Sequence, residues 1–270
     1  MEKTLHQFDQ DIALSEQSAF IYHTCISANW SINGVPDGGY LMAILAEAMR
    51  RNSDRESTPI ITANYLARCV PGDAQVRVAK IVQSKQFERY QASLNQDGTE
   101  KIRAIGTFAS PAVECAVERY ETKPPELPLP DNCVELPPMP NYTLFEQMDI
   151  RLDPACTGWM TTGLLSEKSQ INGWIKFSDE RRFDLAAILL AADSFPPAVM
   201  ASQGLVAWVP TIELSVNIRN LPQGRWLKGT FSTHFITCGL LAEDGELWDA
   251  ENQLVAISRQ TAQYRTVGSG

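Results

Sequence analysis

Residues 185–197 read LAAILLAADSFPP. Apolar residues run unbroken from Leu185 to Ala192 and then meet Asp193. Pro196 lacks a backbone N–H and disfavours helix at Phe195, so the run predicts a helix ending near the aspartate. A helix that is apolar all round must be buried all round. The helix macrodipole repels a negative charge at that end. The segment therefore predicts a buried central helix whose closing carboxylate is compensated by something outside it.

The chain contains a second such helix. GGYLMAILAEAMRR (38–51) stands in the first half as RFDLAAILLAADSF (182–195) stands in the second. The segments downstream of the two helices also repeat. TPIITANYLARCVPG (58–72) resembles VPTIELSVNIRNLPQG (209–224), with Pro59 and Pro210, Arg68 and Arg219, and Pro71 and Pro222 each 151 residues apart. QDGTEKIRAIGTF (96–108) matches DAENQLVAISRQT (249–261) at a similar offset. A repeat this long is a domain written twice, not a solenoid unit.

β-rich runs separated by Pro-Gly, Asp-Gly and Gln-Gly turns predict four strands after each helix. They fall near 59–68, 74–83, 86–95 and 99–109, and near 207–219, 226–237, 238–246 and 250–263. An earlier strand precedes each helix, near 19–28 and 170–178. Short turns make neighbouring strands antiparallel. A fully apolar helix in a strand-rich unit requires a sheet wrapped around it. That is the hotdog arrangement, so the predicted fold is α+β, a double hotdog. Eight of the 16 prolines fall between 111 and 140 and favour extended chain there. The expected division is an N-terminal unit at 1–110, a Pro-rich linker at 111–140 and a C-terminal unit at 141–270.

Composition narrows the function classes. The formal net charge of −9 lacks the basic footprint that phosphate binding needs, which argues against a nucleic-acid partner. No apolar run approaches the ~20 residues of a membrane span, and the N-terminus lacks a signal-peptide pattern. A cytoplasmic protein is expected. Cysteines 25, 69, 115, 133, 156 and 238 form no CxxC and no metal spacing, so they read as free thiols with no metal or cofactor implied.

The sequence resembles the acyl-CoA thioesterase II family, the TesB-like double-hotdog thioesterases. The resemblance is carried by VPDGGYLMAILAEA (35–48), YLARCVPGD (65–73) and GWIKF (173–177). It is carried most by an Asp late in the second helix, a Ser or Thr on the next strand and a Gln on the last strand. These match Asp193, Thr211 and Gln260. The resemblance implies hydrolysis of acyl-CoA to free acid and CoA, and a homo-oligomeric assembly. The alternative is a non-catalytic acyl-CoA or fatty-acyl binding protein on the same fold.

Thioester hydrolysis needs a water relieved of a proton, donors for the oxyanion and a leaving thiolate. Asp193 is the candidate base, its pKa raised by apolar neighbours and the helix end. Thr211 and Gln260 each donate and accept hydrogen bonds and are candidates to hold the water and the Asp in register. Ser215 remains an alternative to Thr211, because even spacing along a strand places both on one face. Gln253 and Gln263 are alternatives to Gln260, although inward Leu254, Ala256 and Ser258 carry Gln260 to the inner face. Gly38, Gly39 and Tyr40 open the first helix and are candidates for the oxyanion or substrate site, with Asp37 as N-cap. Glu47 is a rival acid in the first half, where Thr62 and Phe108 stand nearest the places of Thr211 and Gln260. Trp30, Trp174 and Trp208 are candidate acyl-tunnel residues. Three histidines, at 6, 23 and 234, offer no Asp/His pair of the hydratase kind. There is no GxSxG elbow.

Overall fold

A computed structural model describes residues 5–55, 57–110, 117, 119–205 and 207–266. Cys115 and the side chain of Trp208 lie outside the described residues. The two predicted units share one antiparallel sheet of 13 strands. In the first half the strands Ser57–Tyr65, Gly72–Gln83, Phe87–Gln96 and Thr99–Ala109 follow the helix Gly38–Arg50. In the second, Thr211–Ile218, Leu227–Thr237, Leu240–Asp249 and Leu254–Gln263 follow the helix Leu185–Ala191. Ile21–Ile26 and Gln170–Phe177 are the strands that precede the two helices.

The halves join edge to edge. Thr211–Ile218 pairs antiparallel with Ser57–Tyr65, with Leu214 opposite Ala63 and Val216 opposite Ile61. The first helix packs across the four strands that come after it and also against the second helix. Tyr40 through Leu45, Ala48 and Met49 are buried, as are Ala187 through Ala191. One apolar core runs through both halves.

The second helix is shorter than its apolar run predicts. Asp184 caps it by accepting the Ala187 N–H at 2.9 Å, so residues 182–184 lie outside it. At the other end the Asp193 N–H bonds back to Leu190 O at 3.1 Å, and Asp193 sits in a turn after the helix. The Pro-rich segment is extended for most of its described length, but its end is part of the sheet. Val134–Glu135 pairs with Met148–Leu152 as an edge strand, and Leu136 is buried behind it. The two central helices approach closely at Gly39, where a Cβ would lie 2.5 Å from Leu189 O. Only glycine permits that distance.

Candidate active site

Asp193, Thr211 and Gln260 come from a helix-ending turn, the strand Thr211–Ile218 and the strand Leu254–Gln263. They meet at one amide. Gln260 Nε2 donates to Asp193 Oδ1 at 2.8 Å and to Thr211 Oγ1 at 2.7 Å. Gln253 is exposed just before the strand Leu254–Gln263, and the Gln263 N–H bonds to Pro210 O.

Thr211 reaches this place through a β-bulge. It pairs with Ala262, while Glu213 pairs with Thr261, so Ile212 is an extra residue in the ladder. An inserted residue reverses the alternation of faces beyond it. Thr211 therefore shares the inner face with Gln260, which sits opposite the buried Leu214. Ser215, four residues on, is carried to the outer face, where it accepts a hydrogen bond from the Thr62 hydroxyl at 2.9 Å. The even-spacing expectation for Ser215 fails for that reason.

The negative charge at the end of one central helix is met by the start of the other. The Gly39 N–H donates to Asp193 Oδ2 at 2.9 Å. The free N–H groups and positive dipole end of the first helix offset the charge that the second helix's C-terminus opposes. A Cβ on Gly38 would stand 2.6 Å from Asp193 Oδ2, so the glycine pair also leaves room for the carboxylate. The Gly39 N–H expected for an oxyanion is thus engaged by the protein's own carboxylate. The Tyr40 N–H is engaged as well, by its N-cap Asp37 at 3.0 Å. The Tyr40 side chain is buried, donating its hydroxyl to Asp11 O at 2.8 Å. That geometry makes Tyr40 a core residue.

Burial pushes the Asp193 carboxyl up to about 6, against the lowering influence of the Gly39 N–H, the Gln260 amide and the Gly38 N–H. Asp37 is also held well above the usual carboxylate range, by burial and by the negative charge of Asp193. The third buried acid of the region, Glu243, is one that sequence reasoning missed. It sits directly opposite Gln260 in the ladder and accepts the Ala198 N–H at 2.6 Å. Burial pushes it up to about 7, and the charge of Asp193 adds to the rise. Its Asp-Gly neighbours at 244–245 read as a turn signal, although they fall within the strand expected near 238–246. The turn lies at Cys238–Gly239 instead, which places Glu243 inside the strand. Tyr65 is likewise unmarked in the sequence; its hydroxyl donates to Gly38 O at 2.7 Å and steadies the glycine pair.

The remaining candidates lie elsewhere. Glu47 holds Arg50 and Arg51 in ion pairs at 2.8 and 3.1 Å, at the far end of the first helix. Phe108 is buried edge-on against Tyr90. Trp30 and Trp174 are core residues whose indole N–H groups bond to Asp11 and to Pro128 O. His6 and His23 pair with Asp179 and Asp73, and His234 is exposed on a strand. None of the three histidines contacts Asp193 among the described residues. The described cysteines, 25, 69, 133, 156 and 238, are free thiols. Among the described residues no helix is long and apolar enough to cross a membrane.

Two family models match the chain. The acyl-CoA thioesterase N-terminal domain matches residues 26–109, and the acyl-CoA thioesterase C-terminal domain matches residues 130–264. Among solved structures, a provisionally assigned thioesterase II of Thermobifida fusca YX is 22% identical. It covers 96% of this chain and 97% of its own, with a TM-score of 0.87. A hot dog fold protein of unknown function from Alicyclobacillus acidocaldarius is 19% identical, over 97% and 99% of the two chains, with a TM-score of 0.86. The acyl-CoA thioesterase II TesB2 of Mycobacterium marinum is 16% identical, over 97% and 100%, with a TM-score of 0.75. At these identities the likeness is one of fold. No curated protein matches the sequence.

Proposed function

The chain belongs to the acyl-CoA thioesterase family, as a TesB-like double-hotdog thioester hydrolase, and from that premise we propose that Asp193, Thr211 and Gln260 activate the water that attacks the thioester. The observation that carries the proposal is the single Gln260 amide shared by Asp193 and Thr211. A carboxylate has about four acceptor sites over its two oxygens. Gln260, Gly39 and Gly38 take up to three of them, which leaves one at which Asp193 accepts from a water. Thr211 accepts from Gln260, so its own hydroxyl proton is free to donate to that water's oxygen.

Asp193 takes a proton as the water oxygen bonds to the thioester carbonyl carbon. The tetrahedral intermediate then breaks its C–S bond, the sulfur leaves with the electron pair, and the proton held by Asp193 passes to it. A carboxyl near 6 suits this role, because it is ionised at neutral pH and still basic enough to accept the proton. Gln260 does not titrate; it holds the base and the hydroxyl at one place. The helix start holds the base from the other side.

The test is thiol release from a panel of acyl-CoAs of increasing chain length, with Gln260→Ala beside the parent. Expected is hydrolysis by the parent with a rising pH limb near 6, and a loss of about 10²-fold or more in kcat for the variant, as for other groups that position an acid–base catalyst. Unchanged kcat in a folded Gln260→Ala protein would remove the amide from the mechanism.

A further inference from the structure

Glu243 takes no part in activating the water, yet it is a buried carboxyl beside the residues that do. It stands on the strand Leu240–Asp249, opposite Thr233 on one neighbouring strand and opposite Gln260 on the other. Cross-strand partners share a face, so Glu243 points inward as Gln260 does. Its Oε2 accepts two hydrogen bonds, from the Ala198 N–H at 2.6 Å and from the Thr233 hydroxyl at 3.3 Å.

Ala198 lies five residues after Asp193. Pro196 and Pro197 have no N–H, so Ala198 is the first residue past them that can donate from the backbone. It donates to Glu243, while Asp193 accepts from Gln260 at 2.8 Å. Gln260 and Glu243 face each other across the ladder, so one rung of the sheet holds both ends of the stretch 193–198. Between the two ties the Phe195 ring packs on Phe231, with centroids 4.9 Å apart. Beyond them Val199 packs with Leu241 and Ala262, which form the next inward rung, and Ala262 pairs in turn with Thr211. The chain leaving the base is laid along the strands of Glu243 and Gln260.

Both donors reach the same oxygen of Glu243, which leaves Oε1 for the proton of the neutral acid. Burial pushes Glu243 up to about 7, and the charges acting on it, Asp193 from the loop and Asp244 from its own strand, are negative. Arg259 on the strand Leu254–Gln263 is held by Asp244 on the exposed side of the sheet. Where Asp193 ionises, near 6, Glu243 is therefore mostly neutral, and the rung carries a single charge.

We propose that Glu243 is a positioning residue for the hydrolysis: by accepting the Ala198 N–H it closes the 193–198 loop on the rung it shares with Gln260, and so holds Asp193 in place. The proposal rests on the reading of Asp193 as the base. A tie of this kind sets the aim and the burial of the carboxylate, so its loss acts on turnover and on the pH at which Asp193 ionises, and leaves substrate affinity alone.

The test compares Glu243→Leu and Glu243→Gln with the parent in thiol release from acyl-CoA between about pH 5 and pH 9, with amide hydrogen exchange at Ala198 followed on the same proteins. Glu243→Leu is expected to lower kcat by about tenfold or more with KM within about twofold. Its rising limb moves below 6, toward the ordinary carboxylate value, because the untied loop admits water to Asp193. The Ala198 N–H exchanges faster. Glu243→Gln keeps an acceptor, so it retains kcat to within about threefold, the limb near 6 and the protection of Ala198. Glu243→Asp draws the acceptor back by one methylene and keeps the site polar; it moves kcat and the limb in the same direction as Glu243→Leu, and stands in for it if that variant does not fold. Parent kcat and limb in a folded Glu243→Leu or Glu243→Asp protein would overturn the proposal. So would a Glu243→Gln protein as impaired as Glu243→Leu. Asp193→Asn run beside them tells the two readings apart. Hydrolysis surviving there removes the base itself, whereas hydrolysis lost there and kept in Glu243→Leu removes only the role of Glu243.

Discussion

Replacing Asp193 by Asn separates two consequences of one buried charge. Burial raises the carboxyl from 3.8 to about 6. A carboxyl whose folded-state pKa exceeds its unfolded value binds more protons when folded. Stability is therefore lost as pH rises from the unfolded pKa through the folded one. A shift of roughly two pH units corresponds to about 3 kcal/mol, at about 1.36 kcal/mol per unit. Asp193 keeps some contact with solvent, so this figure is an upper bound. Asn removes the charge but sets its amide nitrogen against Gln260 Nε2, donor facing donor. Gln260 must flip, which surrenders its donation to Thr211 and costs about 1 kcal/mol. The variant is expected to be more stable than the parent by about 2 kcal/mol near pH 8. The advantage shrinks as pH falls through about 6 and is gone by about 4. Urea unfolding at those pH values measures this. Thiol release on the same samples is expected to fall by about 10²–10⁴-fold, the usual worth of a general base. A variant less stable than the parent near pH 8 would refute the burial argument, as would a stability difference flat across the range.

Substitutions at the glycine pair, at the two strand hydroxyls and at Glu243 rest on the same geometry. Gly39→Ala places a Cβ against Leu189 O and is expected to cost about 1–3 kcal/mol by forcing the central helices apart, read by thermal unfolding. Gly38→Ala meets the movable Asp193 side chain, so its loss should appear in kcat more than in stability. Thr211→Ala is expected to lower kcat by about tenfold or more, whereas Ser215→Ala on the outer face leaves it within about twofold, as steady-state kinetics will show. Glu243→Gln keeps an acceptor for the Ala198 N–H and removes a carboxyl pushed up to about 7. It should match or exceed the parent's stability above that pH. Glu243→Leu orphans the same N–H and is expected to cost about 1–3 kcal/mol in urea unfolding.

The duplicated architecture was legible because its signals are local and repeat. An unbroken apolar run predicts a buried helix, alternating strands come after it, and the same pattern recurs some 151 residues later. Asp193, Thr211 and Gln260 were singled out by the resemblance to the TesB-like family; the charge beside the Pro-Pro pair and the inner-facing alternation only agree with that choice. Thr211 and Ser215 were not separable, because the Ile212 bulge is a property of strand pairing and breaks a spacing the sequence alone presents as even. Glu243 was not singled out for a similar reason, since strand pairing decides that it faces inward opposite Gln260. The oxyanion expectation for Gly38, Gly39 and Tyr40 came from a helix start considered in isolation. By itself the sequence determined that a carboxylate closes a greasy helix and that a twin helix opens with two glycines. Only the tertiary structure decided that these two ends meet, because opposite helix termini carry opposite partial charge and Gly39 alone lets the backbones approach near enough to use it.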